Sequence, residues 1–108
     1  MDYDCASEIW RQIRTTGLAD LRDELVETAI RYARLRVDYL VVHNAQRPGL
    51  ETERTACHNA LIAQCDILAR NMAGRGEDAS WRSLLGQDRK TIGDFACFLH
   101  CLLGLSAR

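Results

Sequence analysis

Charged and aromatic side chains that could bind a ligand are concentrated near the carboxyl end of the chain, beside its most apolar segment. They are Arg75, Glu77, Asp78, Trp81, Arg82, Asp88, Arg89 and Asp94. Asp94 is expected one turn inside the last helix, where a partly buried carboxylate needs a cationic partner, most naturally arginine. Two interpretations of this set remain open. It is a network of structural ion pairs that holds residues 74–88 against the rest of the protein, or it is a polar pocket.

The pocket interpretation predicts a site for a small anionic ligand or for a side chain of a partner protein. Its candidate ligand-binding residues, chosen by residue type and clustering, are His58, Arg70, Asp78, Trp81, Arg89 and Asp94. The interpretation requires these six side chains to converge on one pocket. No residue is predicted to be catalytic, and the sequence does not indicate which small molecule would bind.

Five cysteines raise the question of metal binding or thiol chemistry, and they are Cys5, Cys57, Cys65, Cys97 and Cys101. The sequence lacks the closely spaced cysteine or histidine pairs that usually mark a zinc site. A cysteine and a histidine that are sequence neighbours point about 100° apart on a helix, which disfavours a direct thiolate–imidazole pair. We therefore predict that the thiols pack as small apolar side chains in a reducing compartment, with no metal and no cofactor.

Several arginines could form a basic patch for nucleic acid, namely Arg31, Arg34, Arg36, Arg47 and Arg54. Binders of single strands interleave such charges with aromatic side chains, and only Tyr32 and Tyr39 lie nearby in the sequence. The formal net charge of the chain is -1, which gives no overall attraction to a polyanion. Nucleic-acid binding through this patch is therefore kept as an alternative, and it predicts salt-sensitive retention on heparin.

Length and composition indicate one globular domain over residues 1–108. Hydrophobic residues make up 47% of the chain and charged residues 27%, which is ordinary for a folded protein. The most apolar stretch, residues 92–105, is interrupted by Asp94 and His100, so no membrane span is predicted. Acidic residues occupy the first positions, where a signal peptide carries basic ones, and we expect a cytoplasmic protein.

Apolar residues recur at helical spacing through most of the chain, and strand-like alternation is lacking. The predicted helices run from about Cys5 to Arg14 with Asp4 as N-cap, from Ala19 to Ala45, from Glu51 to Ala73, over residues 81–85 after an N-cap at Ser80, and from Asp88 to near Gly104. A turn is predicted at Arg47–Pro48–Gly49. The predicted fold is a compact all-α bundle of four to five helices, built on a long antiparallel hairpin whose groove receives the last helix.

A resemblance covers residues 54–108 and rests on residues 54–62 (RTACHNALI), 76–82 (GEDASWR) and 86–96 (GQDRKTIGDFA). These segments resemble a family of small bacterial all-helical proteins to which no function is assigned. The resemblance implies a bacterial, cytosolic, helical protein and brings no activity with it.

Association with another protein is the leading functional hypothesis, most simply as a homodimer. The last helix is apolar on nearly all sides, and we expect its apolar surface to exceed what a single hairpin covers. Trp10 and the first helix are the alternative cover for this surface. The alternatives are a ligand-binding or enzymatic domain that uses the polar pocket, and nucleic-acid binding through the arginine patch.

Overall fold

The computed structural model describes residues 1–42, 45 and 47–103. All regular structure in these residues is helical, which confirms the predicted all-α bundle. The helices are α1 (Tyr3–Arg14), α2 (Ala19–Val41), α3 (Arg47–Gly74), α4 (Trp81–Leu85) and α5 (Arg89–Leu103). Together they form an elongated body of 48 × 26 × 24 Å.

Helices α2 and α3 form the predicted antiparallel hairpin. Contacts between them run in opposite sequence order, from Gln64 with Glu24 to Cys57 with the carbonyl oxygen of Thr28. Buried apolar side chains fill the seam at helical spacing, and they are Leu25, Ala29 and Ala33 on α2 and Leu61, Cys65 and Leu68 on α3. The hydrophobic effect therefore holds the two longest helices together along one stripe of each.

The boundary between these two helices differs from the sequence prediction. Arg47, Pro48 and Gly49 belong to the first turn of α3, so the turn predicted there is wrong, and α2 ends at Val41 rather than Ala45. Proline is tolerated in a first helical turn because an amide hydrogen there has no partner within the helix. Pro48 therefore begins a helix where we predicted that it would interrupt the chain.

The other helix ends also refine the predictions. Helix α1 begins at Tyr3, and its N-cap is Asp2 rather than Asp4, because the Asp2 carboxylate accepts a hydrogen bond of 2.8 Å from the Cys5 amide. Gly86 closes α4 as predicted, with φ of 71°, a conformation that costs glycine little. The predicted end of the last helix at Gly104 lies outside the described residues.

The prediction that the last helix occupies the groove between the hairpin helices is only partly correct. Helix α5 packs mainly against α2, whereas α4 packs mainly against α1. Three core side chains, Ile92, Phe95 and Leu99, line the buried face of α5. Helix α1 covers another part of α5, because the Tyr3 and Phe98 rings meet edge to face with centroids 5.5 Å apart.

Candidate functional site

Asp94 on α5 lies at the centre of a cluster of cations from three parts of the chain. Its carboxylate accepts hydrogen bonds from the α-ammonium group of Met1 at 2.9 Å, from Lys90 at 3.1 Å and from Arg36 on α2 at 3.4 Å. The Asp94 side chain is 24% exposed, so the predicted partial burial and the predicted arginine partner are both confirmed. The Met1 ammonium group and the other cations lower the pKa of Asp94 from 3.8 to about 2.

The remaining charged residues of the carboxyl-terminal set also bind within the fold. Glu77 pairs with Arg75 at 2.9 Å and accepts a hydrogen bond from the Gly17 amide, which ties the α3–α4 connection to the α1–α2 connection. Arg82 on α4 pairs with Asp66 on α3 at 2.7 Å. These contacts across the fold support the structural interpretation of the charged set.

Asp78, Asp88 and Arg89 are also bound within the protein, the two carboxylates locally and Arg89 across the fold. Asp78 accepts a hydrogen bond from the Ser80 amide just before α4, and Asp88 accepts one from the Thr91 amide at the start of α5. These bonds lower the pKa of both carboxyl groups. Arg89 donates to the side chains of Glu51 and Thr55, which joins α5 to α3.

His58 and Trp81 are core side chains rather than groups that face solvent. Trp81 is 0% exposed and His58 is 8% exposed, with its ring 5.8 Å from that of Tyr32. The His58 Nε2 atom and the Trp81 Nε1 atom are buried and have no hydrogen-bond partner in the described structure.

The six candidate ligand-binding residues lie in different surroundings. Within the described residues, no hydrogen bond or ion pair joins any two of them. Arg70 is exposed on α3, and Asp78 lines a surface depression with Arg11 and Glu77. Four further depressions are lined by none of the six. A pocket formed by all six candidate residues therefore stays a prediction, and no network of contacts among them supports it.

The cysteines differ in burial, and Cys5 and Cys97 are partly buried. All five are free thiols; Cys57 and Cys65 are buried, as predicted for core residues, whereas Cys101 is exposed. Burial raises the pKa of Cys57, and it raises that of Cys65 to about 12. A raised pKa removes thiolate at neutral pH, so neither buried thiol is activated as a nucleophile.

The predicted arginine patch is largely engaged in contacts inside the protein. Arg36 pairs with Asp94 and Arg54 pairs with Glu51. The guanidinium carbons of Arg54 and Arg47 lie 4.4 and 5.4 Å from the centroid of the Tyr39 ring, a cation–π arrangement. Arg31 and Arg34 are the exposed members. The patch is thus less available to a phosphate backbone than the sequence suggested.

Gln12 is a residue whose role the sequence analysis missed. It lies on the buried face of α1 between Ile9 and Ile13, and it is 8% exposed. Its Oε1 atom accepts hydrogen bonds from the Trp81 amide at 2.9 Å and from the Ser80 hydroxyl at 3.3 Å. Ser80 is at the N-cap position of α4 but does not cap it with its own side chain, so Gln12 supplies that contact from α1. A polar residue within an apolar stripe is the signal that could have revealed it.

Replacing Gln12 with alanine is expected to lower the free energy of unfolding by about 1–3 kcal/mol, because the buried Trp81 amide would lose its acceptor. Urea titration followed by circular dichroism measures the change. Gln87→Ala is the matched control, since Gln87 is exposed, and its change should stay within about 0.5 kcal/mol. Equal effects of the two substitutions would contradict the capping role.

The groove between α1 and α5 is the largest of the depressions described, with a volume of about 500 Å³. Its apolar lining consists of Tyr3 and Trp10 from α1 with Phe98 and Leu102 from α5. Tyr3 is 71% exposed despite its contact with Phe98. Polar and charged side chains of α1 complete the lining, and they are Asp4, Ser7, Glu8, Arg11 and Arg14.

A second exposed apolar surface lies at the end of α2. Val37 is 56% exposed, Leu40 is 68% exposed and Val41 is 75% exposed. Spacings of three and four residues place these side chains on one face of the helix. The exposed charged residues Arg34 and Asp38 flank the same face.

The last helix provides less exposed apolar surface than the sequence suggested. Five residues of α5 are buried inside the chain, and Phe98 and Leu103 are partly covered. The exposed apolar side chains available for association therefore lie in the α1–α5 groove and at the end of α2, rather than on α5 alone.

Neither a membrane span nor a metal cluster is found among the described residues. No helix there is long and apolar enough to cross a bilayer, and no group of three or more histidine, cysteine or acidic side chains could hold a metal ion. Comparisons of the chain with known protein families, with curated proteins and with solved structures found no match.

Proposed function

We propose that this chain works by association with another protein chain, most simply a second copy of itself, rather than by catalysing a reaction. The observation that carries this proposal is the clustering of exposed apolar side chains. Val37, Leu40 and Val41 share one face of α2, and Tyr3 lies at the edge of the α1–α5 groove, whose lining combines apolar and charged side chains. Contiguous apolar surface rimmed by charged residues is typical of protein interaction sites, whereas isolated exposed apolar residues are common everywhere.

The contacts of the polar residues also support a role in association. The charged side chains that could have formed a reactive site bind one another instead, as Asp94 does with Arg36 and Arg82 does with Asp66. The buried thiols carry raised pKa values, which is the opposite of what a nucleophile needs. These contacts leave the exposed apolar side chains as the basis of the proposal.

Sedimentation equilibrium over a range of protein concentrations tests the proposal. The expected result is a weight-average mass that rises from that of one chain toward twice that value as the concentration increases. A mass equal to that of one chain at all concentrations up to tens of micromolar would contradict self-association. The protein should carry no residues before Met1, because its α-ammonium group pairs with Asp94.

A further inference from the structure

Resting on the proposed self-association, we propose that two copies of this chain pair through α1 about a two-fold axis, with Asp4 of each copy facing Arg14 of the other. The occupant of the α1–α5 groove is then α1 of a second copy. Because a two-fold axis repeats every contact, one pair of complementary residues supplies two ion pairs per dimer.

The residues of α1 that face the groove are spaced along one side of the helix. Tyr3, Ser7, Trp10 and Arg14 follow one another at intervals of four, three and four residues, which keeps them on one face. The small side chain of Ser7 lies near the middle of this face and allows another helix to approach closely. The aromatic residues on either side of it offer apolar contact area.

Two charged side chains, Asp4 and Arg14, lie at opposite ends of the groove. Neither Asp4 nor Arg14 forms a side-chain hydrogen bond or ion pair with any of the residues that the structure describes. They are ten residues apart, about 15 Å along the helix axis. The charges between them, Glu8 and Arg11, are already paired with each other at 2.6 Å. The groove thus has a negative end, a neutral middle and a positive end.

An antiparallel second copy of α1 presents the complementary pattern. If the axis passes near residue 9, residue 4 of one helix lies opposite residue 14 of the other, so both unpaired charges meet an opposite charge. The same register places Trp10 opposite Glu8 and Ser7 opposite Arg11, two charges that are already paired with each other within each copy. Helices α1 and α5 of both copies then form a four-helix layer. Both unpaired charges are satisfied by this arrangement.

The apolar face at the end of α2 does not complement itself in this way. An axis that pairs Arg34 with Asp38 of a second copy passes near residue 36 and places Val41 opposite Arg31. An axis that pairs the apolar residues passes near residue 39 and places Asp38 opposite Leu40. Unlike Glu8 on α1, Asp38 has no ion pair among the described residues, so this arrangement would bury an unpaired carboxylate. Self-association is therefore assigned to α1 rather than to α2.

Charge reversal of the two residues, singly and together, tests the arrangement. Asp4→Arg and Arg14→Asp each place like charges together twice per dimer, so each should weaken the dimer about tenfold at physiological salt. The double variant D4R/R14D should restore most of the affinity, because the pairs re-form with reversed signs. The two reversed charges cannot restore the affinity by attracting each other within one chain. Residues 4 and 14 are about 15 Å apart on α1, which exceeds the screening length of about 8 Å at physiological salt.

Two controls separate this result from effects on folding. The double variant places both charges unfavourably for the α1 dipole, so a restored dimer cannot result from a more stable helix. The variant R34D/D38R makes the same charge changes on α2 and should leave the dimer dissociation constant unchanged. Thermal unfolding of each variant establishes that it is folded.

Nuclear magnetic resonance gives a second, independent measurement on the unmodified protein. The indole N–H signal of Trp10 should shift with protein concentration, because Trp10 lines the groove. That of Trp81, which is 0% exposed in the core, should not shift. Trp10→Phe assigns the two signals.

Three outcomes are distinguishable. Weakening by the single reversals, rescue by the double variant and a shift of the Trp10 signal support the α1 interface. A dimer that is insensitive to these reversals would overturn the α1 interface while leaving self-association intact. A monomer at every concentration would overturn both.

Discussion

Replacing Trp81 with alanine is expected to lower the free energy of unfolding by about 3–5 kcal/mol, a large share of the total stability of a domain of this size. Trp81 is 0% exposed and lies where α4 meets α1, with its amide held by Gln12. Removing the indole leaves a cavity that the short helix α4 cannot close without leaving α1. Chemical denaturation followed by circular dichroism measures the loss.

Leu84 on the same helix is the matched control for Trp81. It is 47% exposed, so Leu84→Ala should change the free energy of unfolding by less than about 0.5 kcal/mol. If Trp81→Ala leaves no folded protein to measure, Trp81→Phe reports the same contact with a smaller cavity. A loss for the Trp81 variants no greater than that for Leu84→Ala would contradict the placement of the indole in the core.

Replacing Asp94 with asparagine is expected to lower the free energy of unfolding at neutral pH by about 2 kcal/mol. The fall in the Asp94 pKa from 3.8 to about 2 on folding sets this magnitude. The substitution keeps the shape of the side chain and removes its negative charge, so the Met1 ammonium group, Arg36 and Lys90 would face one another without a counter-charge. Urea titration of both proteins gives the difference.

The dependence of that difference on pH identifies its source. A carboxyl group whose pKa is lowered on folding stabilises the protein above its unfolded pKa, and the stabilisation is lost as the pH falls toward the folded pKa. The gap between the native protein and Asp94→Asn should therefore be full above about pH 4 and close as the pH approaches about 2. A gap that stays constant over this range would show that the loss is not electrostatic.

Two further variants sharpen the assignment to Asp94. Asp38→Asn removes an exposed charge that has no ion pair among the described residues, and it should change the stability by less than about 0.5 kcal/mol. Adding one residue before Met1 displaces the α-ammonium group and should destabilise the native protein more than it destabilises Asp94→Asn. Equal effects in both backgrounds would mean that Met1 and Asp94 are not energetically coupled.

The helices and the hairpin were predictable from the sequence because helical periodicity directly reports which residues share a buried stripe. The start of α3 at Arg47 was not predictable, since a proline such as Pro48 ends a helix or begins one depending on where the preceding helix stops. The cap at Asp2 was missed because Asp4 fits the same local rule equally well. Each of these errors concerns a boundary, where local preferences compete.

The polar contacts were predictable in kind but not in identity. A partly buried Asp94 required a cation, yet choosing Arg36 depends on packing between residues that are 58 positions apart. The apolar residues of α2 continue at helical spacing through Val37, Leu40 and Val41, which the structure leaves exposed. Which of the apolar residues of α2 are covered depends on where α5 packs. The sequence analysis predicted α5 in the groove between α2 and α3, whereas α5 packs mainly against α2.

Native mass spectrometry of the chain, purified without a metal-binding tag or residues before Met1, tests the central claim most directly. It reports oligomeric state, bound metal and retained small molecules in one spectrum. The expected result is a species of twice the chain mass, without the additional mass of a metal ion or small molecule. A monomer that carries the mass of a metal ion or a metabolite would contradict the account and would direct mutagenesis to the six candidate ligand-binding residues.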